Sequence, residues 1–269
     1  MHAFFGAVFL TATEMALPQQ FPVFAGHVWM HFHQYLNLAP WGGVLLYSFF
    51  TWWLALGLMP VLRKQKPSIT AMVGVLAFLS IHFLVPGWTP SKEVNSINVR
   101  VVQANVGNFV KIQAESGESG AIEDVIKRYQ DLTLKENPQS LDLVIWPETA
   151  YPFSLSSPEF LKKTEAPPTL FRDLIARTGA EMLIGGYDQD DPDQWDNRFE
   201  TEYNAAFQIG IMGEFKEVYR KHILIPFGET MPFGPLNKPL SKIIPAVSFF
   251  GRGTKTPIFK TRTGVKFVT

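Results

Sequence analysis

The chain has 269 residues, a formal net charge of zero and no cysteine. Zero net charge gives no overall field that would attract nucleic acid, and the lack of cysteine excludes a disulfide framework, a thiolate metal site and a cysteine nucleophile within these residues. Of the 24 basic and 24 acidic side chains, six lie in residues 1–96. This uneven distribution predicts a membrane part followed by a soluble part.

Three apolar segments near the start of the chain are predicted to be membrane-spanning helices. Residues 42–62 and 69–88 are uncharged runs of about the length that crosses the hydrocarbon core of a bilayer. Residues 1–17 are a shorter run that contains Glu14 and has no basic n-region of a signal peptide, so we expect a third span there. Together these segments predict a transmembrane helical part over residues 1–90.

The basic loop "RKQK", residues 63–66, sets the expected orientation of the spans. No lysine or arginine precedes it, so the positive-inside rule places this loop in the cytoplasm. One further crossing then places the domain of residues 97–269 on the outer, extracytoplasmic face of the membrane.

Residues 97–269 are predicted to form an α/β domain. Apolar and polar residues alternate in "INVRVVQANVG", which favours a strand, while residues 119–136 place apolar side chains along one helical face. The expected elements that follow are a strand "LDLVIW", a helix "PTLFRDLIARTGA" ended by Gly179, a strand "EMLIGGY", a hairpin of "YNAAFQIG" with "EFKEVYRK", and a second hairpin around Thr263 and Gly264. This order favours a layered α/β domain with functional groups at the strand ends.

Ionisable residues follow two of these strands in apolar surroundings. Glu148 lies in "VIWPETAYPF", residues 144–153, and Lys221 and Glu229 lie in "YRKHILIPFGETMPF", residues 219–233. A carboxylate can act as a general base, and an ammonium can stabilise an oxyanion that develops during a reaction. Each motif alone also fits an ordinary strand end, with Glu148 in a turn and Lys221 in solvent.

The two motifs, their order and their spacing resemble those of the carbon–nitrogen hydrolase (nitrilase) superfamily. The elements "VRVVQANVG" and "YNAAF", with the apolar segments before them, narrow the resemblance to the membrane-embedded apolipoprotein N-acyltransferase family. The resemblance covers nearly the whole chain and implies helical membrane spans followed by a nitrilase-like α-β-β-α sandwich. It also implies a fragment, truncated at the C-terminus, that lacks the first spans, the catalytic cysteine and the last span.

The resemblance assigns roles to the three ionisable residues. Glu148 matches the general base, Lys221 the lysine that stabilises the oxyanion, and Glu229 a second glutamate, for which support and direct catalysis both stay open. The cysteine nucleophile is expected just beyond Thr269, so the chain as given is expected to be inactive. Aromatic and proline residues around Glu148 are expected to exclude water and keep its carboxylate basic enough to take a thiol proton.

The activity that the resemblance implies is acyl transfer in a bacterial cytoplasmic (inner) membrane. A cysteine thiolate would take an acyl chain from a phospholipid of the phosphatidylethanolamine class and pass it, through a thioester, to the α-amino group of a diacylated apolipoprotein. No cofactor, metal or nucleic acid is expected to take part. Residues expected to contact the substrates are the pocket residues Trp146, Tyr151 and Phe153, and Phe249 and Phe250 in the proposed lid or lipid-facing loop of residues 231–253.

Two alternatives stay open on the sequence. A membrane-tethered amidase of the same superfamily would use water as the acceptor, and a non-catalytic membrane protein would bind lipid or lipoprotein only.

Two groups of possible metal ligands are weak. The first group consists of histidines and lacks an accompanying carboxylate. The second consists of aspartates and lacks the glycine and final glutamate of a calcium-binding loop, so we expect these aspartates to lie in a solvated turn. The first group is His27, His31 and His33, and the second is Asp188, Asp190, Asp191 and Asp193.

Overall fold

The computed structural model divides the chain into two compact units, Met1–Glu93 and Val94–Thr269. The residues that the structure describes are 2–35, 38–62, 64–84, 96–136, 140–155, 167–190, 199–244 and 247–268.

The first unit is helical. Its elements are α1 (His2–Ala16), a 3-10 helix (Ala25–Tyr35), α2 (Ala39–Leu62) and α3 (Ile69–Leu84). Helix α2 has 24 residues and a kink at Gly43, whose φ is 53°, so the part that continues after the kink is about 28 Å long at 1.5 Å per residue, close to the thickness of the hydrocarbon core. Within the described residues it is the one helix long and apolar enough to cross a membrane.

The three predicted spans differ in outcome. The span predicted over residues 42–62 lies inside α2. The spans predicted over residues 1–17 and 69–88 coincide with α1, of 15 residues, and α3, of 16 residues, and residues 85–88 lie outside the described part. The number of crossings stays a prediction.

Glu14, the acidic residue of α1, has specific partners among the helices. Its Oε1 accepts hydrogen bonds from the indole Nε1 of Trp52 at 2.9 Å and from the backbone N–H of Ala25 at 3.0 Å. Burying a carboxylate in apolar surroundings is costly unless donors face it. Glu14 therefore connects α1 to the 3-10 helix and to α2.

The second unit is built on a five-stranded sheet in the order β1-β2-β3-β4-β5. The strands are β1 (Val99–Val101), β2 (Leu143–Trp146), β3 (Glu181–Gln189), β4 (Glu202–Ile209) and β5 (Phe215–Arg220). The first three strands are parallel, and β3, β4 and β5 are antiparallel. A two-stranded sheet, β6 (Phe259–Lys260) with β7 (Lys266–Phe267), follows.

The helices in the described residues of this unit are α4 (Asn108–Glu115), α5 (Ser119–Thr133), α6 (Thr169–Thr178) and the short α7 (Asn237–Ser241) after a 3-10 turn. The predicted helices correspond to α5 and α6, and Gly179 ends α6 with a left-handed φ of 68°, which glycine adopts without strain. Helix α4 was not predicted. The strand predicted at the start of this unit is much shorter than expected, because β1 lies at the sheet edge and pairs over three residues with β2 alone.

The two faces of the sheet pack against different elements because successive side chains of a strand point to opposite faces. On one face Val144 and Trp146 of β2 join the main core with apolar residues of α5 and α6. On the other face Leu143 and Leu183 pack on Phe259 of β6. The predicted layered α/β arrangement and the predicted hairpins are thus confirmed.

Candidate active site

Glu148 lies two residues beyond the end of β2. Pro147 follows the strand and has no N–H for the sheet, and the chain turns there, with Thr149 at a φ of 49°. Such a φ is uncommon for a β-branched residue. The Oγ1 of Thr149 accepts a close hydrogen bond from the Lys111 Nζ of α4. The side chain of Glu148 is 58% exposed, so the site opens towards solvent.

Gly185 of β3 lets the Glu148 turn lie against the sheet. A Cβ at this position would come within 2.2 Å of the Pro147 carbonyl oxygen and 2.7 Å of the Glu148 Cα. At the next residue, Gly186, a Cβ would meet its nearest atom at an ordinary 3.5 Å. A side chain on residue 185 would therefore displace the backbone that carries Glu148.

Lys221 lies one residue beyond β5 and reaches both predicted carboxylates. Its Nζ donates to Glu148 Oε1 at 2.8 Å and to Glu229 Oε1 at 3.0 Å. The structure thus brings together three residues that are distant in the sequence, and their roles as base, oxyanion-stabilising cation and second glutamate stay predictions.

Glu229 is held more tightly than Glu148. Its Oε2 accepts from the backbone N–H of Ile225 at 2.8 Å, and its own N–H donates to the Ile225 carbonyl at 2.9 Å. The side chain is 12% exposed. Both carboxylate oxygens of Glu229 are therefore occupied by donors, as expected of a residue that orients the lysine.

Asn204 of β4 completes this cluster and was missed as a site residue by the sequence analysis. Its Nδ2 donates to Glu148 Oε1 at 2.5 Å and to Glu229 Oε1 at 3.1 Å. The available signal was a buried amide inside the apolar strand "YNAAF". A strand pattern alone does not tell which neighbouring loops reach such an amide.

Lys221 and its neighbours shift the ionisation of Glu148. Burial raises the pKa of Glu148, but the hydrogen bond and charge of Lys221, with smaller contributions from Asn204 and Lys111, leave that pKa below its ordinary value. Burial lowers the pKa of Lys221, but the hydrogen bonds and charges of Glu148 and Glu229 outweigh it and leave that pKa raised. The apolar walls therefore do not raise the pKa of Glu148 above its ordinary value, because the adjacent cation outweighs the desolvation. That this carboxylate takes a thiol proton stays a prediction.

A cavity of about 370 Å³ adjoins these polar groups on the sheet face opposite the main core. Its apolar part is formed by strand residues, and Glu148, Asn204 and Lys221 form its polar part. The apolar strand residues are Ile145, Leu183, Ala206 and Tyr219, with Gly185 between them. An apolar cavity with a few convergent polar groups is the usual form of a small-molecule site.

The pocket residues predicted from the "WPE" segment lie mostly on the core side. Trp146 is 2% exposed, and its Nε1 donates to Thr133 Oγ1 at 2.8 Å. Tyr151 is buried with its ring 5.0 Å from that of Phe171, and Phe153 is 40% exposed beside Tyr151. Substrate contact by these three residues stays a prediction, which the exposure favours most for Phe153.

The two phenylalanines predicted to contact lipid are buried among other rings. Phe249 lies 5.8 Å from the ring of Phe199, and Phe250 lies 5.9 Å from the ring of Tyr187. Among the described residues of the predicted lid segment, the exposed large hydrophobic side chains are instead Phe233, Leu236 and Ile243.

A second charged cluster surrounds Arg220, the residue before Lys221. Its Nε donates to Asp188 Oδ2 at 2.8 Å and its Nη1 to Asp190 Oδ1 at 2.6 Å. The guanidinium carbon lies 3.7 Å from the centre of the Tyr203 ring, whose hydroxyl donates to Asp190 Oδ2 at 2.7 Å. The prediction of a solvated turn is wrong for Asp188, which is fully buried.

No group of three or more potential metal ligands occurs in the part of the chain that the structure describes. Asp191 and Asp193 lie outside that part.

Comparison of the sequence with known proteins finds one matching family and several similar proteins. The sequence profile of the carbon–nitrogen hydrolase family matches residues 98–268. The chain is 35% identical over 168 residues to an apolipoprotein N-acyltransferase of Bdellovibrio bacteriovorus, covering 61% of this chain and 29% of that protein. It is 26% identical over 228 residues to one of Vibrio parahaemolyticus, covering 81% and 40%. The chain thus spans less than half the length of both relatives.

Among solved structures, an amidase of the nitrilase superfamily from Nesterenkonia matches with 15% identity and a TM-score of 0.34. That match covers 55% of this chain and 49% of the amidase chain.

Proposed function

Because this chain belongs to the carbon–nitrogen hydrolase family, we propose that it is the catalytic part of a phospholipid:apolipoprotein N-acyltransferase. The proposal rests on one observation above the others, the contact of Lys221 with both Glu148 and Glu229 beside an apolar cavity. The similarity to proteins named apolipoprotein N-acyltransferase favours acyl transfer among the reactions of the family.

The hydrogen bonds favour different roles for the two glutamates. In the described part of the chain, both hydrogen bonds of Glu148 end on Oε1, which leaves Oε2 to accept a proton. Glu229 has donors on both oxygens, so it orients Lys221. Glu148 is therefore the general base, and Glu229 is a supporting residue.

The proposed reaction has two acyl-transfer steps. Glu148 takes the proton of a cysteine thiol, because the thiolate is the nucleophile, and the sulfur attacks an ester carbonyl of a phospholipid. Lys221 stabilises the oxyanion, and the lysophospholipid leaves with a proton from Glu148. The α-amino group of a diacylated apolipoprotein then attacks the thioester and loses a proton to Glu148. The sulfur leaves and receives that proton from Glu148, which restores the thiol. The sulfur is not supplied by these 269 residues, which contain no cysteine.

Membrane association of the whole protein is part of the proposal. Helix α2 supplies a segment of spanning length, and the exposed Phe233, Leu236 and Ile243 give the loop after the site an apolar surface. We place the catalytic unit on the extracytoplasmic side of a bacterial inner membrane, by the positive-inside rule for the "RKQK" loop. The acyl donor is proposed to be of the phosphatidylethanolamine class.

The test is acyl transfer by protein expressed from the complete gene. Phosphatidylethanolamine with a labelled acyl chain and a diacylated lipopeptide are incubated with wild-type protein and Glu148→Gln, and the lipid-to-peptide transfer is followed by mass spectrometry. The neutral amide in Glu148→Gln cannot accept the thiol proton, so kcat should fall by about 10²- to 10⁴-fold. Glu123→Gln on the exposed face of α5 is the matched control and should keep wild-type turnover.

Two results would contradict the proposal. Near-normal transfer by Glu148→Gln would show that Glu148 is not the base. Release of free fatty acid at the same rate with and without lipopeptide, and no acylated lipopeptide, would replace the transferase with a hydrolase.

A further inference from the structure

Asn204 and Lys221 donate to the same two oxygen atoms. Glu148 Oε1 accepts from Asn204 Nδ2 at 2.5 Å and from Lys221 Nζ at 2.8 Å. Glu229 Oε1 accepts from the same nitrogens at 3.1 Å and 3.0 Å. The four atoms form a closed ring in which donors and acceptors alternate, so each carboxylate is oriented by a charged and a neutral donor.

The chemistry of the two donors determines the protonation state of both Oε1 atoms. An ammonium and an amide NH₂ can donate hydrogen bonds and cannot accept them, so neither Oε1 carries a proton in this arrangement. The amide orientation follows as well, because an Asn204 Oδ1 turned towards two carboxylates would repel both.

The backbone of β4 holds Asn204 in a fixed position from which its amide donates to both glutamates. Asn204 is buried and lies opposite Tyr187 in the antiparallel ladder of β3 and β4. Its carbonyl oxygen accepts from the backbone N–H of Lys221 at 2.8 Å. A group on a central strand, bonded through its backbone to the lysine that shares its two acceptors, is held more rigidly than a group on a loop.

We infer that Asn204 is a positioning residue that occupies Oε1 of Glu148 and so directs Oε2 towards the proton that Glu148 accepts. Without it, the lysine alone would face two carboxylates, and Glu148 could turn either oxygen to the cation. The inference rests on the proposed role of Glu148 as the base and adds the atom that performs it. In this role Asn204 acts through Glu148, although its side chain also lines the cavity.

Three substitutions of Asn204 test the inference in protein expressed from the complete gene. Asn204→Ala removes both donors, Asn204→Ser keeps one, and Asn204→Asp replaces the donors with a third carboxylate. A hydrogen bond to a charged group corresponds to about a 10- to 100-fold effect, so kcat should fall by that factor in Asn204→Ala, less in Asn204→Ser and more in Asn204→Asp. The KM for the phospholipid should stay unchanged.

The pH profile separates positioning from a merely structural role. Loss of the amide donors destabilises the anionic carboxylate, so the acidic limb of kcat should move to higher pH in Asn204→Ala and further in Asn204→Asp. Gln208→Ala is the matched control, because Gln208 is a buried amide on the same strand whose Nε2 donates to the carboxylate of Glu181 at 3.3 Å. It should lower thermal stability without moving the acidic limb.

A second readout does not depend on turnover. The unfolding midpoint is measured against pH for wild type and Asn204→Ala, each with and without Glu148→Gln, and the difference within each pair reports the titration of Glu148. A shift of that titration to higher pH in Asn204→Ala supports the inference even if wild-type protein shows no acyl transfer, which would contradict the proposed function alone. An unshifted titration, or equal losses of kcat in Asn204→Ala and Gln208→Ala without a pH shift, would overturn the inference.

Discussion

Arg220 and Lys221 are neighbours in the chain, and each lies between two carboxylates, but their surroundings differ. Arg220 is 6% exposed and binds Asp188 and Asp190 on the core side of the sheet. Lys221 binds Glu148 and Glu229 beside the cavity on the other side. Adjacent strand residues point to opposite faces, so one strand end carries two ion-pair clusters.

The clusters differ in how many of their carboxylate oxygens already accept hydrogen bonds. Asp188 is buried with Oδ2 on Arg220 and Oδ1 accepting from the Gln189 N–H at 3.0 Å, while Glu148 is largely exposed and uses one oxygen. An arginine stays charged at all relevant pH values and binds with a rigid fork, whereas a lysine is a compact point charge that can face a developing oxyanion. The arginine cluster therefore stabilises the fold, and the lysine cluster is suited to catalysis.

The largest effect is expected from breaking the arginine cluster. Arg220→Met would leave the buried Asp188 without its cation, which costs about 3–5 kcal/mol of unfolding free energy. Adding Asp188→Asn should recover part of the loss, because it removes the buried charge. Chemical denaturation measures both variants.

The exposed pair of Arg177 and Asp173, with a distance of 3.7 Å, is the control for that measurement. Arg177→Ala should change the unfolding free energy by less than about 0.5 kcal/mol. A loss below about 1 kcal/mol in Arg220→Met would contradict the structural role of its cluster.

Breaking the lysine cluster should affect activity more than stability. Lys221→Met removes the proposed oxyanion donor, and kcat for acyl transfer should fall by about 10²- to 10³-fold, while the protein still unfolds cooperatively. Comparing the unfolding free energy and kcat of Lys221→Met with those of Arg220→Met tests which cluster serves stability and which serves catalysis. If Lys221→Met instead lost several kcal/mol of stability and kept its kcat, the two clusters would have the opposite roles.

A displacement of Glu148 without any change in charge should have a similar but smaller effect. Gly185→Ala places a Cβ against the Pro147 carbonyl, and a shift of the base by about 1 Å can lower kcat by roughly 10²-fold. Gly186→Ala, where the nearest atom is 3.5 Å away, is the matched control. Equal kcat values for the two alanine variants would show that the approach of Gly185 does not position Glu148.

The smallest effect is expected in the pH dependence of stability. Because the pKa of Glu148 is lowered in the folded state, its ionisation stabilises the protein above the ordinary glutamate pKa, and this contribution is lost as the pH falls through the lowered value. Glu148 is largely exposed, so the difference between wild type and Glu148→Gln should be at most about 1 kcal/mol.

The raised pKa of Lys221 acts at the other end of the pH scale. Its contribution is present below the ordinary lysine pKa and is lost as the pH rises through the raised value.

Thermal unfolding of wild type and Glu148→Gln across the acidic range measures the contribution of Glu148 to stability. A stability difference that grew on acidification would contradict the assigned sign.

The sequence identified Glu148, Lys221 and Glu229 because their motifs have a recognisable order, and strand ends are where an α/β sheet places its functional groups. It did not identify Asn204 or the partners of Arg220. An amide in an apolar strand and an aspartate beside other aspartates have common surface explanations, and their real partners lie on other strands and loops.

The sequence by itself determined which segments are apolar, where strands and helices alternate, and which residues carry the charges of the site, because periodicity and motif order are local properties of the chain. The tertiary structure decided which charges meet, because β2, β4 and β5 bring Glu148, Asn204 and Lys221 together from distant positions. It also decided the ionisation of Glu148, since the pKa of that carboxylate depends on a cation 2.8 Å away that the surrounding apolar sequence does not reveal.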